Sequence, residues 1–277
     1  MGTSEKFKQS ADGYVHGYSP REDQRLRDQA QTLGDLLHHD TVYPAGSRVL
    51  EAGCGVGAQT VMLAKNSPGA RFTSVDISPV SLAAAETATR RAGVANVAFQ
   101  PADIFKLPFP KASFDHVFVC FVLEHLQEPV KALRGLKKVL KPGGTLTVVE
   151  GDHGSTLFHP HSAAAWKTIQ CLIDLQVQAG GDALIGRRLF PVVRAAGFRK
   201  VQVSPRFVYV DPSRPAWVEG FTRNTYIAMV EGVRERALAA GLIDRRQWLR
   251  GIADLKASTG ARGVFCYTFF KAVAVKD

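Results

Sequence analysis

Three glycines at alternate positions, Gly53, Gly55 and Gly57, follow the apolar run Val49 to Ala52 and precede the helix-period segment Val61-Met62-Leu63-Ala64. Glycine belongs where a backbone must come close to a bound nucleotide, because a side chain would hold it off. Asp76 closes the next apolar run, about 20 residues after the turn, where a carboxylate can accept hydrogen bonds from both hydroxyls of a ribose. Further on stand two acid–imidazole pairs, Glu124-His125 and Asp152-His153. An imidazole takes up a proton near neutral pH, and a neighbouring carboxylate can orient it. These four residues are the candidates for acid–base and substrate-orienting work. For each histidine the plain alternative is a hydrogen-bonded residue at a strand end.

The elements that must hold these groups alternate between strand and helix. Val49 to Ala52 reads as a buried parallel strand. Ala70 to Asp76 reads as a second strand, with Ser78 and Pro79 as cap and first residue of a helix to about Ala92, stopped by Gly93. Val97 to Ile104 is a third strand and Ser113 to Cys120 a fourth. A helix over Pro129 to Lys141 carries Val130, Leu133, Leu136, Val139 and Leu140 as its core stripe. Strand five is expected over Thr145 to Glu150, strand six over Lys200 to Tyr209, and a closing antiparallel strand over Val264 to Ala272. Upstream, a helix from Arg21 to about His39 follows Ser19-Pro20. In such open sheets the crevice lies beyond the carboxyl ends of the strands, so Glu124-His125 and Asp152-His153 should both face it.

Taken in order, the pattern Glu51-x-Gly53-x-Gly55-x-Gly57, the segment Val97-Ala98-Phe99-Gln100-Pro101-Ala102-Asp103-Ile104, the run Ser113-Phe114-Asp115 to Leu123-Glu124-His125, and the turn Leu140-Lys141-Pro142-Gly143-Gly144 resemble the motifs of class I S-adenosylmethionine-dependent methyltransferases of the small-molecule, quinone and sterol type. A dinucleotide fingerprint, G-x-G-x-x-G, explains only the first two checkpoints. The resemblance covers Ser47 to about Val203. It implies an α/β, Rossmann-like, doubly wound seven-stranded sheet with its last strand antiparallel and with helical lid insertions. It also implies that S-adenosyl-L-methionine is held by Glu51, Gly53, Cys54, Gly55, Gly57 and Gln59 at the turn, by Asp76 and Ile77, by Ala102, Asp103 and Ile104, and by Cys120 and Phe121. S-adenosyl-L-homocysteine is then the product. In relatives a tyrosine-bearing N-terminal segment folds over the cofactor, which by resemblance brings in Tyr14 or Tyr18. Ordinary packing of those rings is the alternative.

The expected organisation is one domain in six stretches. An N-terminal lid segment and helix covers 1–45, the cofactor-binding core 46–150 and a helical insertion 151–188. The core continues over 189–210, a helical lid insertion follows over 211–262, and the closing strand occupies 263–277. The lid candidates are Phe158, Trp166, Trp217, Phe221 and Tyr226 in the insertions, with Phe207 and Tyr209 at the end of strand six. Each can equally be plain lid core.

Composition narrows the function. The chain has 277 residues, 45% hydrophobic and 22% charged, enough for one full α/β core. Its net charge of +10 is spread along the sequence without a basic arm, so it reads as a solvated surface rather than a nucleic-acid site. The place after strand four reads Cys120-Phe121-Val122-Leu123, not the (D/N)-P-P-(Y/F) motif of base amino methylation. Only Glu124 stands where protein-arginine methylation uses paired glutamates. The four cysteines form no C-x-x-C pair, and His159-Pro160-His161 with Asp152 and His153 matches no metal-ligand spacing, so no metal is expected. No signal-peptide, myristoylation or membrane-spanning pattern is present, which points to a cytoplasmic protein. The expectation is therefore methyl transfer to O, N or C of a small molecule in secondary metabolism, with C-methylation of an isoprenoid double bond through a carbocation as an alternative. A homo-oligomer fits the sequence equally well.

Overall fold

A computed structural model describes residues 20–277, so Tyr14 and Tyr18 lie outside the described residues. One seven-stranded sheet organises the chain, in the order β3-β2-β1-β4-β5-β7-β6. Its strands are β1 (Arg48–Ala52), β2 (Arg71–Asp76), β3 (Val97–Pro101), β4 (Phe114–Cys120), β5 (Leu140–His159), β6 (Arg199–Val210) and β7 (Val264–Val275). The first five run parallel, and β7 is antiparallel to both of its neighbours. The order reverses between β1 and β4, which is where such sheets open a ligand crevice. This is the doubly wound architecture expected from the sequence.

Helices cover both faces. On one lie α1 (Pro20–His38) and α2 (Thr60–Asn66); α3 (Pro79–Arg91), α4 (Pro129–Val139), α5 (Ala163–Gln178) and α6 (Leu189–Ala195) follow in the chain. Ser78 caps α3 by accepting a hydrogen bond from the Ser81 amide at 3.2 Å, with Pro79 pre-setting the first turn. The core stripe read for α4 is buried at Leu133 and Leu136, which pack with Val117, Val119, Leu146 and Val148 of the sheet. Burying each such leucine stabilises the fold by roughly 1.5–3 kcal/mol. Gly57 packs the glycine turn against α3. A Cβ at Gly57 would stand 2.9 Å from Cα and Cβ of Ala85, and its φ is +76°.

The structure departs from the sequence expectation most at β5. It was expected to stop at Glu150, yet it runs to His159, past the end of β4. The run Gly151-Asp152-His153-Gly154-Ser155 reads as a loop from its composition. Antiparallel pairing with β7 keeps it extended, with an irregularity between Asp152 and Leu157. Tertiary pairing overrides weak local propensity here. The first insertion is therefore strand before it is helix, and α5 begins only at Ala163.

The second insertion is helical but not regular. It comprises α7 (Pro215–Trp217), a π-helical stretch over Val218–Ile227, α8 (Ala228–Gly232), α9 (Arg234–Ala239) and α10 (Arg245–Ala257). The π-helical stretch packs on α1, where Gly220 leaves room for Thr32. α10 packs on α5, with Gly251 against Ala164 and Thr168. No described helix is long and apolar enough to cross a membrane.

The C-terminal end of α1 is tied to the core by buried polar groups. His38 is fully buried, its Nε2 is 2.8 Å from Oε1 of Gln59, and its ring meets Phe118 edge-on. Beyond α1, Lys271 of β7 donates to Asp40 and to Thr41 Oγ1, each at 2.6 Å, and Arg206 of β6 pairs with Asp40 as well. Burial pulls the His38 imidazole down from 6.5 to about 4, against the opposing pull of the Gln59 hydrogen bond.

Two outcomes follow from this packing. Gly57→Ala should lose about 2–4 kcal/mol in a urea titration, because a left-handed backbone and a clash with α3 add. His38 binds fewer protons folded than unfolded between pH 6.5 and about 4, so the stability it contributes is present above 6.5 and lost as pH falls through 4. That loss is on the order of 3 kcal/mol. Urea titrations at pH 7, 5.5 and 4 should show His38→Gln losing less stability on acidification than the parent. Parallel pH profiles would mean that His38 is not held neutral in the core.

Candidate functional site

The glycine turn is built by hydrogen bonds from β2. The Gly53 and Cys54 amides both donate to the Val75 carbonyl, at 2.8 and 3.0 Å, and the Gly55 amide donates to Asp76 Oδ2 at 2.8 Å. Gly53 is backed by Val122 and Gly57 by Ala85, so at those two positions glycine serves packing. Gly55 differs: its φ is +51° and a Cβ there would meet nothing within 4 Å. It is the point where the turn faces open space and a ligand can approach.

Asp76 is oriented by the same turn. Its Oδ2 takes the Gly55 amide and its Oδ1 the Ser78 amide at 2.9 Å. Burial pushes its pKa up, and the backbone donors pull it back. The remaining lone pairs of both oxygens are available to hydroxyl donors. Glu51 stands elsewhere than a ligand-contacting role would suggest. It is 2% exposed, and its Oε2 accepts from Ser74 at 2.6 Å and Thr60 at 2.8 Å. Burial raises it to about 7, against those two hydroxyls. Glu51 holds the turn from beneath, and Gln59 is bonded to His38.

Ala102 follows β3 with its amide on the Asp76 carbonyl at 3.0 Å, and Asp103 Oδ1 accepts the Phe105 amide at 2.8 Å. Ile77 and Ile104 are half-buried beside them. At the end of β4, Cys120 is buried and its thiol is pushed up by that burial, as is Cys54. Neither is a thiolate nucleophile. Phe121 next to it takes φ +57°, a left-handed conformation costly for an aromatic residue and characteristic of functional turns.

The acid–imidazole pairs divide. After Phe121 the chain makes a single 3-10 turn, Leu123–His125, which turns Glu124 inward. Glu124 Oε1 lies 3.7 Å from His125 Nε2, and Oε2 lies 3.8 Å from His153 Nε2. Gln176 of α5 donates to Glu124 Oε2 at 3.0 Å. His153 Nδ1 is 2.8 Å from the Tyr267 hydroxyl, and the Tyr226 hydroxyl is 2.6 Å from Thr156 Oγ1. Burial alone would raise Glu124, but His125, His153, Gln176 and Arg25 together bring it below the usual carboxylate range. Burial lowers His153, so its neutral form dominates. Its Nε2 is buried without a hydrogen-bond partner and aims at the cavity.

Asp152 does not join this group. Successive strand residues point to opposite faces, and Asp152 is held from the far side by Arg187, whose Nε and Nη2 reach it at 2.6 and 2.8 Å. The expectation that Asp152 and His153 both face the crevice is corrected by strand alternation.

Glu124, His125 and His153 meet at a cavity of about 50 Å³ walled by Phe121, Phe221, Tyr226, Tyr267 and Phe269. Phe221 and Tyr226 were anticipated in the lid. Phe158 and Trp166 pack on each other at 5.8 Å, and Trp217 lies under Arg214 at 5.3 Å, all outside the lining of this cavity. Phe207 and Tyr209 are 53% and 42% exposed on the outer face of β6. Tyr267, Gln176 and Glu150 went unread in the sequence. For Tyr267 a signal existed: Phe265, Tyr267 and Phe269 alternate along β7 and share a face.

Against known proteins, residues 50–148 match the model of a family described as a methyltransferase domain. An uncharacterized methyltransferase of Schizosaccharomyces pombe is 40% identical over 119 residues, which are 41% of this chain and 43% of that protein. The chain thus spans less than half of that relative's length. The 27-O-demethylrifamycin SV methyltransferase of Amycolatopsis mediterranei is 29% identical over 80% of this chain and 76% of its own. Among solved structures, the cyclase SpnF superposes with a TM-score of 0.54 at 25% identity, covering 88% of this chain and 80% of that one. With the strand order, the glycine turn and the Asp76 carboxylate in place, these matches agree that residues 50–148 form a methyltransferase domain of the class I, S-adenosylmethionine-dependent type.

Proposed function

We propose that the protein transfers a methyl group from S-adenosyl-L-methionine to a proton-bearing oxygen or nitrogen of a small molecule. The observation that carries the reading is the Glu124 carboxyl group, placed between the Nε2 atoms of His125 and His153 at a cavity walled largely by aromatic rings beside the Phe121 turn. The residues of the crevice fit the cofactor: Gly55 leaves its approach open, and Asp76 offers lone pairs suited to two ribose hydroxyls. Gly53 to Gly57, Asp76, Ala102, Asp103 and Phe121 would hold it. When bound, the cofactor supplies a methyl group on a sulfonium, an electrophile that needs no further activation.

What this chain must add is alignment and proton removal. His153 with its proton on Nδ1 donates to the Tyr267 hydroxyl and turns the Nε2 lone pair to the cavity. Nε2 receives the proton of the acceptor as its oxygen or nitrogen gains the methyl group. Glu124, 3.8 Å away, balances the imidazolium. The surrounding rings exclude water, which would compete as an acceptor. In this reading α1 and the two insertions act as a lid that sets acceptor choice. The rifamycin relative, named for a small-molecule substrate, supports the same substrate class.

Calorimetry and turnover test this reading. Asp76→Ala should weaken S-adenosylhomocysteine binding about 10- to 100-fold, equal to roughly 1.5–3 kcal/mol, and unchanged affinity would misplace the ribose. His153→Phe should leave that affinity within about twofold while cutting methyl transfer, screened over hydroxyl- and amine-bearing metabolites with labelled cofactor, by about 10²- to 10⁴-fold. Full turnover in His153→Phe would remove the imidazole from the mechanism.

A further inference from the structure

Glu150 is the first residue of β5 beyond its pairing with β4, and it is fully buried. Its neighbours on the same face of the sheet include Val148 and Val119, in a core of leucine, valine and isoleucine. A carboxyl group there costs free energy unless it does something a leucine cannot. The last ladder bond from β4 to β5 is the Phe121 amide to the Val149 carbonyl, at 3.0 Å. Phe121 then turns left-handed, and the next two amides, Val122 and Leu123, open the 3-10 turn where no strand or helix carbonyl reaches them. Both donate to one oxygen of Glu150, at 3.1 and 2.7 Å. That turn sets Phe121 on one side and Glu124 on the other.

We propose that Glu150 is a positioning residue: its side chain clamps the Val122 and Leu123 amides and thereby fixes both Phe121 in the crevice and Glu124 between its two histidines. Its role in the reaction rests on the methyltransferase reading, while the clamp itself does not. The carboxyl is pushed toward its neutral form. Burial raises it well above its ordinary value, and the ionised Glu124 raises it further. Glu150 Oε2 is buried without a partner, and the amides satisfy only Oε1. A neutral group of the same length that accepts two hydrogen bonds should therefore replace it. Glutamine is such a group, and leucine is not.

The test compares Glu150→Gln and Glu150→Leu with the parent in three measurements: hydrogen exchange of the Phe121–His125 amides by mass spectrometry, S-adenosylhomocysteine affinity, and cooperative unfolding. Glu150→Gln should match the parent within about twofold in exchange and affinity. Glu150→Leu, still folding cooperatively, should exchange those amides at least tenfold faster and bind at least fivefold more weakly. Should leucine prevent folding, Glu150→Asp, one methylene short of the amides, should show the same changes at smaller amplitude. Unchanged exchange in a folded Glu150→Leu, or a Glu150→Gln that behaves like Glu150→Leu, overturns the clamp. A parent that does not bind S-adenosylhomocysteine would instead sink the methyltransferase reading, and the exchange arm would still decide the clamp.

Discussion

A carboxyl group that is almost fully buried yet drawn toward its ionised form is the constraint on which the cavity at the end of β4 depends. Glu124 is buried beside aromatic rings, and among the described residues His125, His153, Gln176 and Arg25 draw it toward its ionised form. Those partners come from the 3-10 turn, β5, α5 and α1, so four separate parts of the chain must be in register for one charge to be satisfied. The neighbouring Glu150 is fully buried, and that burial pushes it the opposite way. Two acids near the same crevice are thus pushed in opposite directions, and environment alone separates them.

The sheet supplies the positions and the insertions supply the enclosure. Reversal of strand order between β1 and β4 opens the crevice at Gly55, Asp76 and Phe121. Extension of β5 and β7 past the end of β4 carries His153 and Tyr267 over that opening, which a strand ending at Glu150 could not do. The π-helical stretch then lays Phe221 and Tyr226 across the top, held to α1 at Gly220 and Thr32. A wide helical turn of this kind is seldom seen except at functional sites. The buried His38–Gln59 contact ties the same α1 to the glycine turn, so cofactor crevice and lid share a physical connection.

The parts legible in the sequence were those whose chemistry is local. A glycine turn, a cap and a proline at the start of α3, and an acid ending β2 each announce themselves within a few residues. The strand order followed because the motifs came in sequence. What stayed hidden depends on long-range pairing. Asp152 and His153 look equivalent until the phase of β5 is known, and that phase is set by β7, more than a hundred residues later. Phe207 and Tyr209 were assigned to the lid for the same reason, although the pleat of β6 turns them outward. Gln176 lies on a helix whose apolar stripe hides it, and Glu51 reads as a ligand contact although two hydroxyls hold it beneath the turn.

The same core serves proteins named for different activities, a rifamycin methyltransferase and a cyclase among those similar to this chain. The glycine turn and Asp76 therefore speak for the family and say little about what becomes of the second substrate. A ring closure asks an enclosure for shape. Methyl transfer to a hydroxyl or an amine asks for shape and for somewhere to put a proton. An aromatic box alone would fit either demand. In the proposed function, Glu124 and the His153 Nε2, which has no hydrogen-bond partner, serve to accept a proton, a need that ring closure does not have, and an enclosure built only for shape would hold an apolar residue there at lower free-energy cost. This difference in cost, rather than the fold, is the argument for the proposed transfer reaction.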